Sequence, residues 1–262
     1  MVNAYHAKPV IYIIMPAYNA EAFVEESIRS VIGQTYRNWK LTVIDDCSSD
    51  NTVAVIRKLA EEDSRISLVC NEENLGVAKT RNSGLEMHAG EYVALLDSDD
   101  VWLPEKLERQ MARMLETNAD VLYCSYGIID ENGRKSCEDF IVPETVDFNG
   151  FLSRSVISCS TALFSPAVTK QYRFRTDLYH EDLELWLRLL RDGKTACGNS
   201  DVLACYRVMQ GTRAGNKVRS ALHRWKVYRD GMGFPVHKCV SLMFRYGILG
   251  LKKYKKLSGS EE

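Results

Sequence analysis

The chain has 262 residues, of which 45% are hydrophobic and 26% charged, with a formal net charge of −1. These values fit one large α/β domain with a short appendage and exclude disordered, collagen-like and coiled-coil classes. No apolar run reaches the ~18 residues that span a bilayer. Residues 1–9 lack an apolar stretch of signal-peptide length, so the protein is expected to stay in the compartment where it is made. The eight cysteines are scattered and form no Cys-x-x-Cys pair, which predicts buried free thiols rather than a disulfide or zinc framework.

Residues 10–15 (VIYIIM) form a nearly continuous apolar run, as expected of a strand buried on both faces of a parallel sheet. Asn19 is expected to cap a helix carrying Val24, Ile28, Val31 and Ile32 on one face, closed by Gly33. Leu41 to Ile44 reads as a second strand, followed by a helix capped by Ser49 or Asp50 with Thr52, Val55, Ile56 and Leu59 in register. Ile66 to Val69 is the third strand, Ala78 to Met87 the next helix, and Tyr92 to Leu96 the fourth strand. Pro104 opens a helix bearing Leu107, Met111, Met114 and Leu115, and Val121 to Tyr126 follows as a fifth strand. Alternation of strand and helix predicts a doubly wound, mostly parallel or mixed sheet flanked by helices.

Charge is distributed unevenly. Between Arg207 and Lys256 thirteen basic residues face a single acid, Asp230, so this stretch carries +12 and the remainder of the chain −13. An acidic body argues against nucleic acid as a partner. The basic tail is interleaved with Trp225, Tyr228, Phe234, Phe244, Tyr246 and aliphatic residues. That pattern fits a helix lying in a membrane interface as well as one packed on the protein.

In doubly wound sheets ligands bind at the carboxyl ends of the strands. Here those ends carry Pro16-Ala17-Tyr18-Asn19, then Asp45-Asp46-Cys47-Ser48-Ser49-Asp50, then Asp97-Ser98-Asp99-Asp100. Carboxylates gathered at one edge repel one another unless a cation or hydrogen-bond donors offset them. Neither a dinucleotide fingerprint nor a P-loop follows a strand. A divalent metal on Asp97 and Asp99, Mg²⁺ or Mn²⁺ by the hardness of the oxygens, would neutralise a phosphate ligand, and in an extended segment the two residues would face the same side.

Taken in order, these motifs, with Asn-x-Gly-x-Ala-x-x-Arg-Asn-x-Gly at 74–84 and Glu-Asp-Leu-Glu-Leu-Trp-Leu-Arg at 181–188, resemble the family 2 inverting glycosyltransferases of the GT-A fold. The resemblance covers residues 10–208. It implies a GT-A domain over 1–214, with a nucleotide-binding half at 10–125, an acceptor half at 126–214 and a basic amphipathic helical tail at 215–262. By the same resemblance Pro16, Ala17, Tyr18, Asn19, Asp45 and Asp46 hold the nucleotide, with Asp46 accepting a hydrogen bond from a uracil or guanine ring N–H. Arg81 faces the base or diphosphate, or pairs with a carboxylate of the site. Asp99 ligates the metal, while Asp97 meets the metal or the ribose beside Ser98. Asp182 is the general base and Glu181 positions the acceptor. Trp102 and the segment 158–161 lie near the sugar, and Arg207 or Arg213 meets the departing phosphate from a mobile loop. His180 and His223 are more plausible as satisfied histidines than as metal ligands.

The implied reaction moves a sugar from a nucleotide-diphosphate sugar, UDP-linked by preference, to a glycan or lipid-linked acceptor in surface-polysaccharide synthesis. It would take place in the cytoplasm, at the inner face of the cell membrane, with the tail in contact with anionic lipid. A sugar nucleotidyltransferase and a non-catalytic nucleotide-sugar-binding membrane scaffold are the alternatives. The first normally carries a Gly-rich basic loop after its first strand, which 16–19 is not, and the second would be favoured by loss of Asp99 or Asp182, both of which are present.

Overall fold

Strand β1, Ile11–Ala17, is buried almost throughout and runs through the middle of a nine-stranded sheet. The computed structural model describes residues 8–209 and 217–257, with the backbone alone for 217–218 and 248–257. In the first half the chain alternates as expected: α1 (Val24–Ile32), β2 (Trp39–Asp45), α2 (Thr52–Glu62), β3 (Ile66–Cys70), α3 (Val77–Met87) and β4 (Tyr92–Leu95). Strands β3, β2, β1 and β4 lie side by side and parallel, and the register sets Ala17 against Asp45 and Asp45 against Cys70. The carboxyl ends of β1 and β2 are therefore level, which brings the two acidic motifs to one edge.

The second half departs from simple alternation. It contains β5 (Val101–Trp102), α4 (Lys106–Thr117), β6 (Val121–Ile129), β7 (Lys135–Phe140), α5 (Phe148–Ser153), a 3₁₀ turn (Cys159–Thr161), β8 (Leu163–Phe164), α6 (Pro166–Gln171), α7 (Glu181–Arg191) and β9 (Ala196–Arg207). Beyond β4 the order is β8, β6, β9 and β5, with β7 paired to β6. Strands β6 and β9 are parallel; the β4–β8, β6–β8, β6–β7 and β5–β9 pairs are antiparallel. The result is the mixed sheet of a GT-A architecture.

Side chains alternate across this sheet with period two. Ile11, Ile13 and Met15 join α1, α2 and α4 in one core, whereas Ile14 joins α3, α5 and α7 in the other. Layers of helix, sheet and helix follow. Gly84 of α3 sits where β1 passes: a Cβ there would fall 2.6 Å from Ile14 Cγ2, so only glycine allows this approach.

The tail is α8 (Lys217–Lys226), a π turn (Val227–Gly231) and α9 (Val236–Leu257). Its first half does not stand apart from the domain, because Val227, Tyr228, Met232, Phe234 and Cys239 are buried in the same core as α7. Val236, Val240 and Phe244 are 55%, 53% and 73% exposed and, at i, i+4 and i+8, share one face of α9. No helix among the described residues is long and apolar enough to cross a membrane.

Two local expectations need correction. Asn19 does not cap α1; it adopts φ 47°, and its side-chain oxygen accepts from the Ser49 N–H at 2.8 Å, so the helix starts later, at Val24. The cysteines are free but not all buried: Cys124, Cys159 and Cys239 are buried, whereas Cys47 and Cys70 are exposed.

Candidate active site

The level ends of β1 and β2 form the floor of a cavity of about 550 Å³, lined by Pro16, Ala17, Tyr18, Asn19, Asp46, Gly76, Thr80, Arg81, Asp97, Ser98 and Asp99, among others. Tyr18 is 53% exposed, an aromatic face open to a planar ligand. Asp46 is buried and accepts from Asn71 Nδ2 (2.8 Å) and from the N–H groups of Leu75 (2.9 Å) and Gly76 (2.8 Å). Burial alone would push its carboxyl up, but these donors together hold it below the usual value. Three of its roughly four acceptor positions are filled, leaving about one for a ligand. Asp45 does not line this cavity. It is buried and accepts from the Ser48 N–H at 3.0 Å, so it shapes the turn that carries Asp46.

Asp97, Ser98 and Asp99 all face this cavity, but through a turn and not through strand alternation. The turn is closed by the Asp100 N–H donating to the Asp97 carbonyl at 3.1 Å. It is anchored by Asp100, buried, which accepts from Ser160 Oγ at 2.5 Å and from the Arg207 N–H at 2.8 Å. Burial first, and the charge of Asp97 next, push the Asp99 carboxyl above its ordinary value. That is a surplus of negative charge which a divalent cation would offset, and hard carboxylate oxygens fit Mg²⁺ or Mn²⁺. Among the described residues no group of three or more acidic, histidine or cysteine side chains could hold an ion unaided, so ligand oxygens would have to complete its shell.

A second cavity, of about 860 Å³, adjoins the first and shares Gly76, Val77, Arg81 and Asp97 with it. Its wall includes Ile157, Ser158, Cys159, Tyr179, His180, Glu181, Asp182, Tyr206, Arg224 and Tyr246. Asp182, half-buried at the first turn of α7, accepts from the Leu183 N–H at 2.7 Å. Arg81, buried, joins the two cavities: Nη2 donates to Asp97 at 2.6 Å and Nη1 to Glu181 at 2.7 Å. Of the two roles expected for Arg81, the carboxylate pair is formed, and Arg81 also lines the first cavity. Burial raises the Glu181 carboxyl to about 6 against the pull of Arg81. Glu181 is thus bound to Arg81, and Asp182 is its neighbour in the cavity wall.

Two further expectations fail on geometry. Trp102 is buried in the core; its indole N–H donates to the Ser160 carbonyl at 2.7 Å, and it lines neither cavity. Arg207 is buried as well, donating through Nε to the Asp99 carbonyl at 2.7 Å, through Nη1 to the Asp130 carbonyl at 3.1 Å and through Nη2 to Glu26 at 2.5 Å. It supports the Asp97–Asp100 turn from behind and lines neither cavity. Arg213 lies outside the described residues. His180 Nε2 is 3.3 Å from Ser220 Oγ, whereas His223 stacks on Tyr179 at 4.4 Å between ring centres and its buried Nε2 has no hydrogen-bond partner among the described residues. Missed from sequence were Gly76, Thr80, Tyr179, Arg224 and Tyr246. The first two fall inside the 74–84 motif, whereas the others carry no local signal beyond residue type.

A mixed sheet with an acidic motif at its parallel strand ends and a second acidic pair across a shared cleft defines a GT-A enzyme that handles nucleotide sugars. The glycosyl transferase family 2 model matches residues 12–172, and the chain belongs to that family. It is 35% identical to the putative teichuronic acid biosynthesis glycosyltransferase TuaG of Bacillus subtilis, over 94% of this chain and 98% of that protein. It is 36% identical to the Escherichia coli UDP-Glc:α-D-GlcNAc-diphosphoundecaprenol β-1,3-glucosyltransferase WfgD, over 94% and 95% of the two chains. A crystal structure of an S. aureus TarS fragment in complex with UDP superposes with a TM-score of 0.66 at 25% identity, covering 76% of this chain and 60% of that one. The mannosyltransferase PcManGT of Pyrobaculum calidifontis, in complex with GDP-Man and Mn²⁺, shares the fold with a TM-score of 0.68 at 20% identity, over 88% and 66%. The chain is a glycosyltransferase acting on nucleotide sugars, which sets the nucleotidyltransferase alternative aside.

Proposed function

We propose that this glycosyltransferase uses a UDP-linked sugar, assisted by Mn²⁺ or Mg²⁺, and transfers it with inversion to a lipid-linked glycan precursor of a surface polysaccharide. The observation that carries this reading is the pair of adjoining cavities, one with the carboxylates Asp46 and Asp99 and the other with Asp182, sharing Arg81 and Asp97 as a common wall. The first accommodates the nucleotide, with Tyr18 against the base and the remaining acceptor position of Asp46 toward a ring N–H. A cation bound at Asp99 and Asp97 would supply charge neutralisation for the diphosphate.

The acceptor lies in the second cavity. Asp182 takes the proton of its hydroxyl while that oxygen bonds to the anomeric carbon. The bond from the anomeric carbon to the phosphate oxygen breaks on the opposite face, and its electron pair leaves with UDP. Arg81 holds Asp97 and Glu181 in fixed positions on either side of this path. A UDP donor is supported by the UDP-bound neighbour and by the UDP-Glc named for the E. coli relative. A lipid-linked acceptor is supported by the diphosphoundecaprenol in the same relative's name. The exposed face Val236, Val240 and Phe244, with Arg245 beside it, suits the cytoplasmic surface of an anionic membrane.

A thermal-shift screen of UDP-, GDP-, dTDP- and CDP-linked sugars, each with and without Mn²⁺, tests the donor. A UDP-sugar is expected to give the largest stabilisation, and only with the metal; equal shifts with all four nucleotides, or none, would overturn the donor assignment. Cosedimentation with anionic but not neutral liposomes is the expected sign of membrane contact, and equal recovery in the supernatant with both would remove it.

A further inference from the structure

Three arginines bear on the cleft, Arg81 and Arg224 in its walls and Arg207 behind it, and their partners differ. Arg81 is neutralised by Asp97 and Glu181, and Arg207 by Glu26. Arg224, on α8, is held instead by neutral groups: Nη1 donates to Tyr228 Oη at 2.9 Å, Nη2 to Ser155 Oγ at 3.1 Å, and the guanidinium lies 4.3 Å from the centre of the Tyr246 ring. These contacts fix the fork in place without discharging it. Both Arg224 and Tyr246 line the cavity that holds Asp182, and neither lines the nucleotide cavity.

From this we infer that Arg224 is the acceptor-side anion site: it binds the diphosphate that links the acceptor sugar to its lipid. The inference rests on the proposed lipid-linked acceptor and assigns its recognition to residues beyond 172, where the family match ends. A planar, permanently charged fork suits a diphosphate, with room for two parallel hydrogen bonds. The placement also fits the shape of such an acceptor. Its hydroxyl must reach Asp182, its diphosphate lies on the far side of the same sugar, and its hydrocarbon chain must leave the protein. Tyr246 belongs to α9, the helix whose Val236, Val240 and Phe244 are exposed on one face. Arg224 therefore shares with Tyr246 the wall of the cavity that holds Asp182, and the core-packed tail supplies the charge that reads the acceptor.

Undecyl diphosphate, which carries the charge and a short chain but no sugar, is the probe, titrated calorimetrically into the full chain already saturated with UDP. UDP affinity is measured separately for each protein. The wild type is expected to bind the probe with UDP in place. Arg224→Gln should weaken it by roughly tenfold or more, and Arg224→Lys, which keeps the charge but loses the fork, by less. UDP affinity should be equal in all three, and a neutral undecyl glycoside should not discriminate among them. Equal diphosphate affinity in the wild type and both variants would overturn the assignment. So would a wild type that does not bind the probe, or a variant that loses UDP instead, which would move Arg224 to the donor side. Failure of the wild type to bind UDP at all would count against the underlying donor reading rather than against Arg224 alone.

Discussion

The two halves of the cleft treat negative charge in opposite ways. Beside the ends of β1 and β2, Asp46 takes three backbone and amide donors that hold it below its ordinary pKa with about one acceptor position spare, while burial and the charge of Asp97 push Asp99 above its own. One carboxylate is fixed and mostly satisfied within the chain; the other has charge for a cation to offset. In the adjoining cavity Glu181 is tied to Arg81, Asp182 sits in the wall, and Arg224 brings a cation on neutral supports. The contrast separates scaffold from chemistry: groups whose bonds are complete inside the chain set positions, and those with spare capacity face the substrates.

The sharpest way to break this contrast is Asp182→Asn. Loss of a general base typically costs about 10²–10⁴ in rate, so transfer should collapse while UDP-sugar affinity stays at the wild-type value; single-turnover transfer and calorimetry read the two separately. Transfer at the parent rate would place the base elsewhere.

Arg81→Met should act on stability first. It strands two carboxylates, one of them deeply buried, and removing one partner of a buried pair costs roughly 3–5 kcal/mol. Chemical denaturation should register the loss at pH 7, and it should shrink near pH 5, where Glu181, raised to about 6, takes up a proton. The sign follows from linkage: a carboxyl with a raised native pKa favours the folded state at low pH and loses that advantage as pH rises through the raised value.

A smaller effect lies away from the cleft. Lys106 is buried, with Nζ donating to Gln110 at 2.7 Å and lying 3.9 Å from the centre of the Trp102 ring, and burial lowers its pKa from 10.5 to about 8. The unfolded chain then binds this proton more tightly than the folded one, so stability should rise with pH between about 8 and 10.5, by about 3 kcal/mol. Denaturation curves of Lys106→Met should lack this rise relative to the wild type. An identical pH profile in both would mean that Lys106 is not the group responsible.

The same division explains what could be read from residues alone. Strands β1 to β4 announce themselves because each is a short apolar run next to a cap or turn motif, and their parallel pairing follows from alternation with helices. Strands β5 and β8 have two residues each and exist only through partners far away in the chain. Strand β9 begins Ala-Cys-Gly-Asn-Ser-Asp, a pattern with no strand periodicity, and is specified by pairing along β6. Among site residues, the acids were legible because several carboxylates at one sheet edge have no cheap structural explanation. Arg207 and Trp102 were misread because adjacency to a motif does not say which way a side chain turns. Both point into the scaffold that holds the Asp97–Asp100 turn. Arg224 was visible only as one more charge in a basic tail, since its place in the cavity that holds Asp182 comes from packing of α8 and α9 on the core.

The central claim is that Asp99 and its neighbours grip the donor diphosphate while Asp182 does not. Calorimetric titration of a UDP-sugar with Mn²⁺ into the wild type, Asp99→Ala and Asp182→Asn tests it most directly. The account predicts metal-dependent binding in the wild type, unchanged binding in Asp182→Asn and its loss in Asp99→Ala. Equal, metal-independent affinity in all three proteins would contradict it.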